Sequence, residues 1–307
     1  MVKAFSEADL KKLYIPPPNS HKGQNGKLLI IGGSKLFHAA SLWALKVASR
    51  IVDMVYYSSV DENNQIVKSA KEEFRDGIVV RRSLIDSYIQ EADCVLIGPG
   101  LPRSEGQEFG DDDTKLLTEG LLKKYPNKRW VIDGGSLQTI DPSLIPKNAI
   151  LTPHLREFET LFSHAAPNPK GVILNSFQDL SQTEIPKQVR NDNKQVKHDK
   201  KVAEIAKKYN CVILLKGQTD IVCSPNECVG ISGGNAGMTK GGTGDVLAGL
   251  VAALYCKNDA FLSATAGSYI NKKAGDSLYK KVGPYFNSSD LADEIPKVMK
   301  KYIIDSK

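Results

Sequence analysis

The chain has 307 residues, 41% of them hydrophobic and 25% charged, with a formal net charge of +6. That is ordinary for a soluble globular protein and suits one large α/β domain or two small ones. The mild positive charge suits an anionic small ligand, and no Lys/Arg run with interleaved aromatics marks a nucleic-acid face.

Residues 1–26 read as a leader. FSEADLKKLY suits a short helix that Pro16-Pro17-Pro18 ends. The start MVKAFSEADLKKLY is too polar for a signal peptide, and no apolar run reaches the ~18 residues needed to span a membrane, so no membrane partner and a cytoplasmic location are expected. HKGQNG (21–26) is a polar turn into KLLIIGG, an apolar run that suits a buried parallel strand. Gly32-Gly33-Ser34 and the helical AASLWALKVASRIV follow, the opening of a βαβ unit. The GGS turn serves tight geometry or anion binding, and taken alone it does not choose.

MVYYSSV (54–60), GIVVRR (77–82), DCVLIG (93–98), RWVIDGG (129–135) and NAILTPH (148–154) are further strands. Helical stretches such as DDTKLLTEGLLKKY (112–125) separate several of them. The alternation predicts a mostly parallel central sheet with helices on both faces. Its strand ends share one edge, where ligands bind in open α/β sheets. The tails GGS, GPGLP (98–102), DGGS (133–136) and TPHLREF (152–158) fall there. Residues 166–195 are polar and proline-punctuated and read as a surface insertion, with a functional lid as the competing reading. SFQDL and IPKQVRNDN within it resemble translated palindromic repeat elements.

CVILLKG (211–217) reads as a buried strand, and DIVCSP with ECVGIS as a strand pair around Ser224–Glu227. GGNAGMTKGGTGDVLAG (233–249) then runs into the apolar VLAGLVAALY. Its glycines permit close backbone approach, and a helix from about Thr243 would aim its N–H groups and positive dipole end at an anion. Asp245 would stand beside that anion as a base, or serve only as a dipole-matching first-turn acid. Two more helices are expected, over 259–280 and 288–304, the second capped by Ser288 or Ser289. Cys94, Cys211, Cys223, Cys228 and Cys256 show no CxxC pair and are expected as reduced thiols in the core.

Together, HKGQNG, IIGGS, GPGLP, WVIDGGSL, LTPHLREF, LLKG and NAGMTKGGTGDVLAG resemble the NAD(P)H-hydrate dehydratases of the ribokinase-like superfamily. The resemblance implies one ribokinase-like domain over 1–307, interrupted at 166–195. It implies dehydration of (S)-NADHX or NADPHX, with phosphoryl transfer from ADP, or from ATP, to the C6 hydroxyl and then loss of phosphate. Asp245 matches the catalytic base, for which a near-normal carboxylate pKa suffices, because proton loss can accompany attack. Backbone N–H groups of Gly241, Gly242, Thr243 and Gly244 would hold the transferred phosphoryl group. Lys216, Gly217, Gln218, Thr219 and Asp220 match the nucleotide-binding stretch. Ala40, Gly100 and His154 match contacts to the hydrate, with Glu157 supporting His154 or a water-linked magnesium ion. Mg²⁺ and a homo-oligomer, a tetramer by resemblance, are also implied.

Four positions depart from the family pattern. Ala39 adds a methyl, Gly135 replaces a common second acid, Asp220 takes a threonine slot, and Lys240 adds a charge beside the glycine loop. A small-molecule kinase of the same fold and a decayed nucleotide-binding copy are the competing readings.

Overall fold

The computed structural model describes residues 2–70, 76–103, 107–163 and 199–305. The strands are β1 (Lys3–Ala4), β2 (Lys27–Ile31), β3 (Met54–Ser58), β4 (Ile78–Val79), β5 (Cys94–Ile97), β6 (Arg129–Ile132), β7 (Ile150–Leu151), β8 (Val212–Leu215), β9 (Asp220–Cys223) and β10 (Cys228–Ile231). They form one sheet in the order β1-β10-β9-β8-β7-β6-β5-β2-β3-β4. From β8 to β4 every neighbouring pair is parallel, and β9 is antiparallel to both of its neighbours.

The helices are α1 (His38–Ala48), α2 (Asp61–Ala70), α3 (Ile85–Glu91), α4 (Thr114–Lys124), α5 (Gly134–Thr139), α6 (Leu155–Ser163), α7 (199–209), α8 (Thr243–Tyr255), α9 (Ala260–Val282) and α10 (Ser288–Met299). They cover both faces, because each central strand is apolar on both sides. Leu28, Ile30, Leu96 and Val131 point into one core, shared with α1, α8, α9 and α10. Leu29, Ile31, Ile97 and Ile132 point into the other, shared with residues of α3 to α7. VLAGLVAALY is apolar all round because α8 is buried between the sheet, α1 and α9. Gly249 lets α1 close on it, since a methyl there would lie 2.6 Å from Ala44 Cα. Among the described residues, no helix is long and apolar enough to cross a membrane.

Each expected strand is present, and the sheet has the expected mostly parallel character. Three expectations need correction. The leader forms a 3-10 helix over Glu7–Lys12, and it also supplies β1, which pairs with β10. Asn287, not a serine, caps α10: its Oδ1 accepts from Ser289 N and Asp290 N, and Asp290 Oδ2 accepts from Asn287 N. Two of the five cysteines are not free thiols. The hairpin register places Cys223 opposite Cys228, Cα atoms 4.1 Å apart, and they form a disulfide. Cys94, Cys211 and Cys256 are free and buried, as expected. The insertion expected over 166–195 lies outside the described residues.

Candidate active site

The parallel strands deliver their tails to one edge in sheet order. β8 leads to Lys216, β7 to His154, β6 to Asp133, β5 to Gly98–Gly100 and β2 to Gly32–Ser34. His154 and Lys216 pair as a last parallel bridge, with Lys216 N donating to Pro153 O at 2.8 Å. Thr152 Oγ1 donates to Asp133 Oδ1 at 2.8 Å. The β-ladder therefore places residues 133, 154 and 216 beside one another although more than 80 positions separate the outer two.

Lys216 is the hub of this group. Its Nζ lies 3.1 Å from Asp133 Oδ1 and 3.9 Å from Glu157 Oε2. Burial lowers the lysine's proton affinity, but Asp133 and Glu157 outweigh it and hold its pKa above the ordinary value. Burial pushes Glu157 up, against the pull of Lys216. Glu157 also braces the start of α6. Its Oε2 accepts from His154 N at 2.8 Å, and its own N–H donates to His154 Nδ1 at 3.1 Å. Of the two roles expected for Glu157, this geometry matches support of His154. Gln138 Nε2 donates to its other oxygen at 3.3 Å. The His154 side chain stays half-exposed.

Across from these strand ends stands the start of α8. Gly242 occupies its N-cap with φ of +93°, where a methyl would lie 2.3 Å from the Trp43 ring and 2.6 Å from Ser288 Oγ. Only glycine fits that turn. Ser288 Oγ also donates to Gly241 O at 2.7 Å. Thr243 holds the turn rather than facing outward: its hydroxyl donates to Met238 O and Lys240 O, and its N–H reaches Lys240 O at 3.4 Å. A methyl on Gly244 would stand 3.4 Å from Lys216 Nζ, so the glycine loop and the strand-end lysine meet.

Asp245, in the first turn of α8, is half-buried beside that junction. Burial pushes its carboxyl up to about 7; the Asp133 carboxylate adds to the rise and Lys216 opposes it. The carboxyl therefore lies above the near-normal value that would suffice for a base. Burial is the larger cause, and the second is Asp133, an acid that sequence reading left among turn residues.

The small residues expected against the hydrate converge. Gly100 has φ of +71°, and a methyl there would lie 2.6 Å from Phe37 O and 3.1 Å from the Ala40 methyl. Ala39 is exposed. Gly135 is required by packing, because a methyl would lie 2.2 Å from Leu101 O. A second acid at that position has no room here.

Gly217, Gln218 and Thr219 are exposed and line a cavity of about 550 Å³ with Lys216, between the 216–219 turn and the β1/β10 edge. Asp220 does not line it. It is buried and turned inward, with Oδ1 accepting from Gly217 N at 2.8 Å and lying 3.3 Å from Lys272 Nζ. Its Oδ2 accepts from Ser268 Oγ at 2.7 Å. Lys240, expected to add charge to the loop, is turned away, with Nζ donating to Pro284 O and Phe286 O.

A ten-stranded, mostly parallel sheet with helices on both faces and a glycine-capped helix across from the strand C-terminal edge is a ribokinase-like α/β fold. A family model described as NAD(P)H-hydrate dehydratase matches residues 28–297, and the chain belongs to that family. It is 32% identical over 315 aligned positions to the ADP-dependent (S)-NAD(P)H-hydrate dehydratase of Nitrosopumilus maritimus, covering 98% of each chain. It is 37% identical over 301 positions to the bifunctional NAD(P)H-hydrate repair enzyme of Methanocaldococcus jannaschii, covering 95% of this chain. The chain spans about half, 52%, of that longer relative. The ADP/ATP-dependent NAD(P)H-hydrate dehydratase of Bacillus subtilis, co-crystallised with ATP and Mg²⁺, superposes with a TM-score of 0.72 over 98% of this chain and 99% of that one. At 21% identity that likeness speaks for the fold alone.

Proposed function

We propose that the protein uses an adenine nucleotide, ADP by the name of its Nitrosopumilus relative, to dehydrate (S)-NADHX or (S)-NADPHX back to the reduced cofactor. The observation that carries this reading is the position of Asp245 between the glycine-capped start of α8 and the Lys216 group at the strand ends.

Hydroxide is a poor leaving group, so the C6 hydroxyl oxygen first attacks the terminal phosphorus of ADP. The P–O bond to AMP breaks as the new one forms. Asp245 accepts the hydroxyl proton, a task suited to a carboxylate poised near neutral pH. Backbone N–H groups at the start of α8, with the Lys216 ammonium beside Gly244, stabilise charge on the transferred phosphoryl group. The ring nitrogen's lone pair then expels phosphate from C6, and a proton leaves C5 to restore the dihydropyridine. The products are NADH or NADPH, AMP and phosphate.

In this assignment Ala40, Gly100 and His154 face the hydrate, while Lys216 to Thr219 face the nucleotide. Asp220 is assigned to holding that turn rather than touching nucleotide. Among the described residues, no group of three or more His, Cys, Asp or Glu side chains could hold a metal ion, and the Lys216 ammonium lies between Asp133 and Glu157. The described residues therefore offer no all-protein cage for Mg²⁺, and the ion would arrive on the nucleotide's phosphates and lend its charge there. A cytoplasmic homotetramer completes the reading; light scattering on the purified protein checks the assembly.

Incubation with S-NADHX, Mg²⁺ and either ADP or ATP should restore the absorbance of reduced nicotinamide. No recovery with either nucleotide would sink the proposal. A stable phosphorylated alcohol without dehydration would replace it with the kinase reading.

A further inference from the structure

Lys272, on α9, belongs to no sequence motif described above, and its side chain is 7% exposed. Its Nζ donates to Gly217 O at 3.1 Å, Gln218 O at 3.0 Å and Gly233 O at 3.2 Å. Asp220 Oδ1 lies 3.3 Å away. An ammonium has three N–H donors, so these four oxygens surround it much as carbonyls surround a bare cation. Two separate loops meet there. Gly217 and Gln218 line the cavity beside Lys216. Gly233 and Gly234, with φ of +114° and +79°, turn the chain out of β10 toward the glycine loop.

Asp220 completes the knot. One oxygen accepts from Gly217 N, and the other from Ser268 Oγ, one helical turn before Lys272 on α9. α9 thus offers a hydroxyl and an ammonium, four residues apart, to one carboxylate. This explains how an acid stands in the nucleotide stretch without repelling phosphate: it is buried, paired and aimed at α9.

We propose that Lys272 is a positioning residue for the nucleotide subsite, its ammonium holding the Gly217–Gln218 wall of the cavity against the Gly233 turn that leads into the phosphate loop. The inference rests on the proposed use of that cavity by nucleotide. It separates from a purely structural role because the tie fixes one ligand's wall and not the other's. Ala40, Gly100 and His154 are not among its contacts.

The test compares Lys272→Met, the charge-neutral pair Asp220→Asn with Lys272→Met, and Lys272→Ala with added ammonium or methylammonium chloride. KM for ADP, KM for the hydrate, kcat and Tm are measured for each. Lys272→Met should raise KM for ADP at least about tenfold and leave KM for the hydrate within about twofold. The double variant removes the unpaired buried carboxylate, so it should regain Tm without regaining ADP affinity. It also keeps the test open if the single variant fails to fold. Added ammonium should lower KM for ADP in Lys272→Ala, with sodium as the inert control. Equal rises in both KM values, or a double variant with both Tm and ADP affinity restored, would overturn the inference. Wild-type protein that binds neither ADP nor ATP by calorimetry would overturn the proposed function and this inference together. Wild-type turnover with unchanged ADP kinetics in folded Lys272→Met or the double variant would overturn this inference alone.

Discussion

The two banks of the site are built from different materials. On the strand-end bank, charged side chains do the work: Asp133, Glu157 and Lys216 alternate in sign and hold one another by contacts of 3.1 and 3.9 Å. On the α8 bank, the chain presents backbone. Gly241 to Gly244 carry no side-chain functional group except the Thr243 hydroxyl, which turns inward, and shape comes from Trp43 and Ser288 packed behind Gly242. The first bank therefore tunes proton affinity and charge, and the second fixes position. A substitution on one should read out as a shifted titration, and on the other as lost alignment.

Asp245 sits where the two banks meet, so its removal should have the largest effect. Asp245→Asn is expected to lower kcat for dehydration by about 10²–10⁴-fold, with nucleotide affinity by calorimetry nearly unchanged. A variant with full activity would remove the base assignment. Stability should move the other way. The folded-state pKa of about 7 exceeds the ordinary 3.8, so the native protein binds this proton more tightly than the unfolded chain does. Stability from this group is fully present below the unfolded pKa and is lost as pH rises through about 7. Asp245→Asn should therefore have the higher Tm at pH 8, and the gap should close in acid.

Next in size comes the α8 bank. Gly242→Ala forces a methyl to 2.3 Å from the Trp43 ring at φ of +93°. A cost of about 1–3 kcal/mol in stability is expected, with kcat reduced about 10²-fold as the loop is displaced. Gly241→Ala is the control for packing, because a methyl there meets nothing within 4 Å. Its stability by denaturant melt should stay within about 0.5 kcal/mol of wild type. Equal losses in the two variants would contradict the shape argument.

The strand-end bank should shift pH dependence instead. The wild-type kcat/KM profile, which reports the free enzyme, should lose activity on the acid side with an apparent pKa near 7, because the base must be deprotonated. Asp133 raises that pKa and Lys216 lowers it. The acid limb should therefore move to lower pH in Asp133→Asn and to higher pH in Lys216→Met. Movement of both in the same direction would refute the electrostatic reading.

The Gly241→Ala control aside, Lys240→Met should show the smallest effect. Its ammonium is tied to the carbonyls of Pro284 and Phe286, so about 1 kcal/mol of stability is at stake while KM for nucleotide stays within about twofold. A large rise in that KM would return Lys240 to the phosphate site.

Much of this was legible in the sequence. Short continuous apolar runs such as KLLII and CVLI, set between turn residues, suit strands buried on both faces, and the glycine-rich lead into VLAGLVAALY suits the start of a buried helix closely approached by other groups. Glycines where a methyl would strike backbone mark positions for which local sequence and fold agree, as at Gly100 and Gly135. The disulfide was missed because the spacing of Cys223 and Cys228 acquires meaning only once the hairpin register opposes them.

The sequence by itself determined the order of elements, the edge where their tails gather and the acid at the start of α8, because local periodicity and turn chemistry are properties of neighbours along the chain. Only the tertiary structure decided which charges face one another. Lys216 was drawn to Asp133 and Glu157, Lys272 to Asp220, and Lys240 away to the carbonyls of Pro284 and Phe286. A lysine's partner is set by distance through space across strands and helices, and three lysines near one glycine loop look alike until the sheet order places them.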